Sequence, residues 1–185
     1  MQAIVTALDD PYRDEVENIW GELKAVFGLP DVSGTTRPHL TYQWAEAYDE
    51  GIASALNAIA NDARRFDITT HGLGVFHATE TTIYLHVTPE PMLTALHERI
   101  WAAVSPLATN TGEVFAPNTW VPHITLATGS ISDDELAMVM QFLNRKPYVW
   151  RIPLTNISLV SINSPVDDQR FDLGSSSLRE RLIDE

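Results

Sequence analysis

Residues 2 to 8, QAIVTAL, form a short apolar run that predicts a strand. The apolar positions then take helical spacing, with Val16, Ile19, Trp20, Leu23 and Phe27 on one face. This predicts a helix over 11–27, with Asp10 as N-cap, Pro11 in the first turn and Gly28 at its end. A loop rich in Gly, Ser, Thr and Pro over 29–37 leads into a short strand, HLTYQW. A second helix is predicted over 45–63, with Ile52, Ala55, Leu56 and Ile59 as its apolar face. Strands over 66–76 and 81–88 follow. In the second of these Ile83, Leu85 and Val87 alternate with Tyr84, His86 and Thr88. A third helix over 91–104 turns Leu93, Leu96, Ile100 and Val104 inward, and a loop is predicted over 105–119. The strand WVPHITLA comes next, then a helix over 132–143 opened by Ser132 and Glu135 in a capping-box pattern. Strands over 148–153 and 156–163 complete the core, and a polar segment runs to an acidic C-terminus.

Strands that arrive in consecutive pairs between helices predict an α+β fold with mixed or antiparallel sheet rather than a doubly wound parallel one. The element order also repeats approximately. The prediction is a single bilobal domain over 1–185 with halves near 1–88 and 89–185, in which strands can cross between two pseudo-symmetric lobes.

Composition narrows the function classes. The chain has 185 residues and no cysteine, so thiolate metal sites and disulfides are excluded. The N-terminus has no basic region before its apolar run, and no apolar stretch approaches the roughly 18 residues of a membrane span. A cytoplasmic monomer with no membrane partner is expected. The formal net charge is −13, and between Lys24 and Arg64 the only basic residue is Arg37. A protein that tracks a long nucleic acid needs several Lys or Arg along the phosphates. This distribution favours a small substrate or a chain end instead.

Two short phrases recur, Pro38-His39-Leu40-Thr41-Tyr42 and Pro122-His123-Ile124-Thr125-Leu126. On a strand, each phrase turns one imidazole and one hydroxyl to the same face and sends Leu40 or Ile124 to the other. His-x-Thr alone is a weak signal. Four of the six histidines satisfy it, because His77-Ala78-Thr79 and His86-Val87-Thr88 do so too. The distinguishing context of His39 and His123 is a preceding proline, an aliphatic residue within, an apolar residue after, and matching places in the two halves. His71, His77, His86 and His97 read as structural or surface residues. No third ligand at a familiar spacing makes a metal site of any of them.

With these motifs, PHITLATG above all and PHLTYQW more loosely, the chain resembles the two-histidine phosphoesterases. That family includes the bacterial RNA 2′,3′-cyclic phosphodiesterases often labelled 2′-5′ RNA ligases. The resemblance covers most of the chain. It implies two pseudo-symmetric lobes with outer helices and a central groove, and a site formed by His39, Thr41, His123 and Thr125. In that site His39 and His123 are expected to be catalytic and Thr41 and Thr125 to bind substrate, with no metal or other cofactor, since no His and carboxylate set has ligand spacing. It also implies His123 as the base in hydrolysis and His39 as the acid, although the symmetry of the motifs leaves either assignment open.

Imidazole, with an ordinary pKa of about 6.5, can serve as base or acid near neutrality, which suits opening of a cyclic phosphodiester. The negative net charge is expected to favour protonated imidazole and raise both pKa values. Arg37 reads either as a solvated loop residue or as a phosphate contact on the His39 face. Tyr42, Trp44 and Trp120 share the parity of the core side, whereas Phe115 can reach a nucleobase from its loop. The expected substrate is a nucleotide or an RNA end. An RNA-end ligase and a non-catalytic nucleotide-binding module are the rival readings.

Overall fold

The computed structural model describes residues 1–30, 37–161 and 168–174. Its strands are β1 (Gln2–Ala7), β2 (His39–Tyr48), β3 (Phe66–His77), β4 (Thr81–Val87), β5 (Ala108–Thr111), β6 (His123–Gly129), β7 (Arg151–Leu154), β8 (Asn156–Ser161) and β9 (Gln169–Asp172). The helices are α1 (Tyr12–Phe27), α2 (Ile52–Asp62), α3 (Pro91–Val104) and α4 (Asp133–Leu143), and short 3-10 turns occupy Ser105–Leu107 and Glu113–Phe115.

The fold is α+β, with a curled sheet in the order β7-β3-β4-β6-β2-β1-β8-β9 and with β5 alongside β2. Every pairing among the described strands is antiparallel, which narrows the expected mixed or antiparallel sheet to the second form. The order is symmetric about the β6–β2 junction: β4 stands to β6 as β1 stands to β2, and β3 and β7 match β8 and β9. Each lobe therefore draws strands from both early and late parts of the chain. Among the described residues, no helix is long and apolar enough to cross a membrane.

One face of the sheet carries the core. Leu85, Ile124 and Leu40 lie side by side across β4, β6 and β2, each with no exposure. The helices add their apolar stripes to that face: Val16, Ile19 and Leu23 from α1, Leu56 and Ile59 from α2, Leu93, Ile100 and Val104 from α3, and Val139 and Leu143 from α4. α1 lies against β6 and α4, while α2 and α3 lie together against β8 and β2. The opposite face is free to carry polar residues.

Local signals explain most element ends. Gly28, at φ 68°, closes α1 in the left-handed region with its N–H on the Lys24 carbonyl. Ser132 caps α4 as anticipated, with Glu135 reaching back to the Ser132 N–H at 3.0 Å.

Four expectations fail. Asp10 does not cap α1. The capping position is Pro11 with no side-chain bond, and Asp10 instead pairs with Arg13 at 2.7 Å. The helix expected from Ala45 begins only at Ile52, because Ala45, Ala47 and Tyr48 pair with β5 and extend β2. Helix formers such as Ala and Glu yield there to a ladder with a distant strand. The loop expected over 105–119 contains that partner strand, β5, and the polar segment near the C-terminus contains β9 on the edge beside β8. Of the loop expected at 29–37, residues 31–36 lie outside the described residues, as do the end of the strand expected at 156–163 and the acidic C-terminus.

Candidate active site

The two recurrent phrases meet at the centre of the sheet. β2 and β6 pair with Leu40 opposite Ile124. Antiparallel pairing about that point sets His39 across from Thr125 and Thr41 across from His123, all on the face turned from the core. Exposure alternates accordingly: His39, Thr41, His123 and Thr125 are half-buried, and Leu40 and Ile124 are buried. The four candidate residues thus form one compact polar cluster. The two imidazoles are close enough that charge on His39 depresses the pKa of His123.

Backbone carbonyls orient both rings in the same way. His39 Nδ1 lies 2.6 Å from the Arg37 carbonyl, and His123 Nδ1 lies 2.7 Å from the Val121 carbonyl. A carbonyl only accepts, so Nδ1 carries the proton in each ring. In the neutral form the lone pair then sits on Nε2. The prolines between serve this geometry. Pro38 and Pro122 have no N–H for the ladder, while their carbonyls accept from Leu8 and Val87 at the ends of the flanking strands.

Burial lowers the pKa of both histidines and outweighs the backbone hydrogen bonds that act the other way. The upward shift expected from net charge is therefore overturned. Local desolvation acts at contact range, whereas the diffuse negative charge is screened over roughly 8–10 Å.

Each motif is followed by a β-bulge. The β1–β2 register slips between Ile4 and Val5, leaving Tyr42 as the extra residue, and the β4–β6 register slips between Ile83 and Tyr84, leaving Leu126. Bulges bend a strand and re-aim side chains. An indole holds the carbonyl just before each one. Trp120 Nε1 donates to the Thr41 carbonyl at 2.9 Å, and Trp20 Nε1 donates to the Thr125 carbonyl at 3.1 Å. Trp120 is also stacked on buried His97, with centroids 3.9 Å apart and planes at 12°. His97 Nε2 donates to the carbonyls of Tyr42 and Phe115, and burial lowers its pKa, so His97 braces the same bulge as a neutral ring.

Replacing Trp120 with Phe keeps most of the stacking area but removes the N–H. Turnover is expected to fall several-fold, on the scale of about 1 kcal/mol for one hydrogen bond, with KM little changed. Equal turnover of Trp120→Phe and the unaltered protein would show that the indole bond does not position Thr41.

The wall beside His123 was not apparent from the sequence. Phe76 meets His123 edge-on at 5.0 Å, Tyr84 tilts against it at 5.2 Å, and the two aromatic rings stack at 4.2 Å. Gly74 makes room for this arrangement, since a Cβ there would overlap the Tyr84 ring. The strict alternation of β4 already set Tyr84 and His86 on one face, and the β4–β6 register was the missing information. His86 lies directly opposite His123 in that ladder.

The remaining candidates separate clearly. His71 and His77 are exposed on β3. Arg37 is exposed and supplies the carbonyl that orients His39. Tyr42 is fully buried, with its hydroxyl 2.7 Å from that of Thr6. Trp44 covers Gly112, and Phe115 contributes its carbonyl to His97.

The crystal structure of TT0787 of Thermus thermophilus is similar with a TM-score of 0.63 at 19% identity, over 94% of this chain and 97% of that one, a likeness of fold. No curated protein matches the sequence. The model of the 2′-5′ RNA ligase superfamily matches residues 11–165, a span that holds both His-x-Thr strands and the bulges after them. The chain belongs to the 2′-5′ RNA ligase superfamily, with a phosphoesterase-type activity.

Proposed function

We propose that the protein hydrolyses a cyclic phosphodiester, that of a 2′,3′-cyclic nucleotide or of an RNA end carrying a 2′,3′-cyclic phosphate. The observation that carries this reading is the pair of imidazoles on one sheet face, each with Nδ1 tied to a carbonyl, which makes Nε2 the nitrogen that works on the substrate. Water attacks phosphorus while a neutral Nε2 takes its proton. The bond from phosphorus to one ribose oxygen breaks, and the protonated Nε2 of the other histidine supplies the proton to that oxygen. His123 is the base and His39 the acid in hydrolysis, and the roles exchange in the reverse direction. The hydroxyls of Thr41 and Thr125 donate to the non-bridging oxygens and stabilise the charge gathered there, with no metal required.

Ligation of two RNA ends fits less well. It requires both polyanionic ends to be held at once, yet β2, β4 and β6 carry no Lys or Arg.

A product assay on the four nucleoside 2′,3′-cyclic phosphates tests the reading. The expected result is conversion of at least one to a single nucleoside monophosphate isomer. Tight binding of these compounds without turnover would favour the binding module. Joining of RNA ends without hydrolysis would favour the ligase.

A further inference from the structure

We propose that His86 is a third substrate-binding imidazole, and that it receives a second anionic group, the phosphate on the 5′ side of the nucleotide whose cyclic phosphate reacts. The proposal rests on the phosphodiesterase reading for the identity of the substrate, and on the sheet for its geometry.

His86 and His123 are direct partners in the β4–β6 ladder, so their Cβ atoms lie about 4.5–5.5 Å apart on the same face. That face is fixed by Tyr84, two residues earlier on β4, whose ring touches His123. His86 is half-buried, and its side chain makes no hydrogen bond or ion pair among the described residues. It stands one strand outward from His123, beside the cluster that holds the reacting phosphate.

The pseudo-symmetry shows why this position matters. The acid, the base, the two threonines and the two bulges are all duplicated. The strand positions flanking them are not. On β4 the partners of Thr125 and His123 are Tyr84 and His86, whereas on β1 the partners of Thr41 and His39 are Val5 and Ala7. A phosphodiester centre can be handled symmetrically, but the nucleotide attached to it cannot. The side chains that break the symmetry are therefore placed to meet the rest of the substrate.

Of these, Tyr84 is buried against Phe76 and His123, whereas half-buried His86 offers an N–H donor. No lysine or arginine lies on β2, β4 or β6 to serve a second phosphate. An imidazole can donate to a phosphate oxygen and gains strength when it is charged.

The test is calorimetric binding of two product-class ligands, adenosine 2′-monophosphate and adenosine 2′,5′-bisphosphate, to the full chain and to His86→Ala and His86→Gln. The full chain is expected to bind the bisphosphate about tenfold more tightly than the monophosphate, the scale of one charge-assisted hydrogen bond. His86→Ala should erase that preference without changing the monophosphate affinity, and His86→Gln, which keeps a donor, should restore part of it. Equal affinities in the unaltered chain, or equal weakening of both ligands by His86→Ala, would overturn the proposal. Because binding rather than turnover is read, failure of the phosphodiesterase reading appears separately, in the product assay.

Discussion

Replacing either His39 or His123 with Ala is expected to lower turnover by about 10²–10⁴-fold, the usual contribution of a positioned general acid or base. Both rings face away from the core, with Nδ1 bonded to the backbone carbonyl two residues earlier, just before each strand. Their loss should leave the fold intact by circular dichroism. Thr41→Val and Thr125→Val should each cost less, because they remove one hydrogen bond to a phosphate oxygen rather than a proton-transfer group. The comparison is kcat for the four variants under identical conditions. Turnover of either histidine variant near that of the unaltered protein would remove the two-imidazole mechanism. A covalent phospho-threonine found by mass spectrometry would instead make a threonine the nucleophile.

A second large effect is expected on stability. Ile124 sits at the junction of the lobes, flanked by Leu85 on β4 and Leu40 on β2, and none of the three is exposed. Ile124→Ala removes buried methyl groups where three strands and the helical layer meet and close collapse is hindered. The expected cost is about 2–5 kcal/mol, against about 0.5–1.5 kcal/mol for Ile124→Val. Urea unfolding of both variants measures this. The same residue lies between His123 and Thr125, so the Ala variant should also lose activity while still folded. A small loss of stability on Ile124→Ala would mean that the junction is loosely packed and does not hold the two motifs in register.

Much of the layout of this candidate site was legible in the sequence because it depends on local patterns. A strand turns residues i and i+2 to one face, so the duplicated phrase by itself assigned His39 with Thr41 and His123 with Thr125. What joins the two pairs is the ladder between Leu40 and Ile124, a long-range contact that no local pattern encodes. The same limit hid His86, whose alternation was plain but whose partner across the sheet was not. β5 was missed because ATNT has little apolar content and forms a strand only by pairing with the end of β2. The pairing also explains why AEAY, with good helix formers, is extended. Parity assigned Trp120 to the core side. Its packing there agrees, but its indole bond to the Thr41 carbonyl arises from the bulge, which the sequence does not announce.

In the proposed reaction, two imidazoles in opposite protonation states move the protons. The most direct measurement is kcat/KM against pH at fixed ionic strength in the presence of a chelator, because that ratio reports the free protein's acid and base. Burial favours the neutral form of both rings. The base stays unprotonated to lower pH, which moves the acid limb down, and the acid loses its proton at lower pH, which moves the alkaline limb down as well. The expected result is a bell with its centre on the acid side of the ordinary histidine value of about 6.5, undiminished by the chelator. Activity lost in chelator and restored by a divalent ion, or a rate that rises steadily through the alkaline range, would contradict the two-imidazole mechanism.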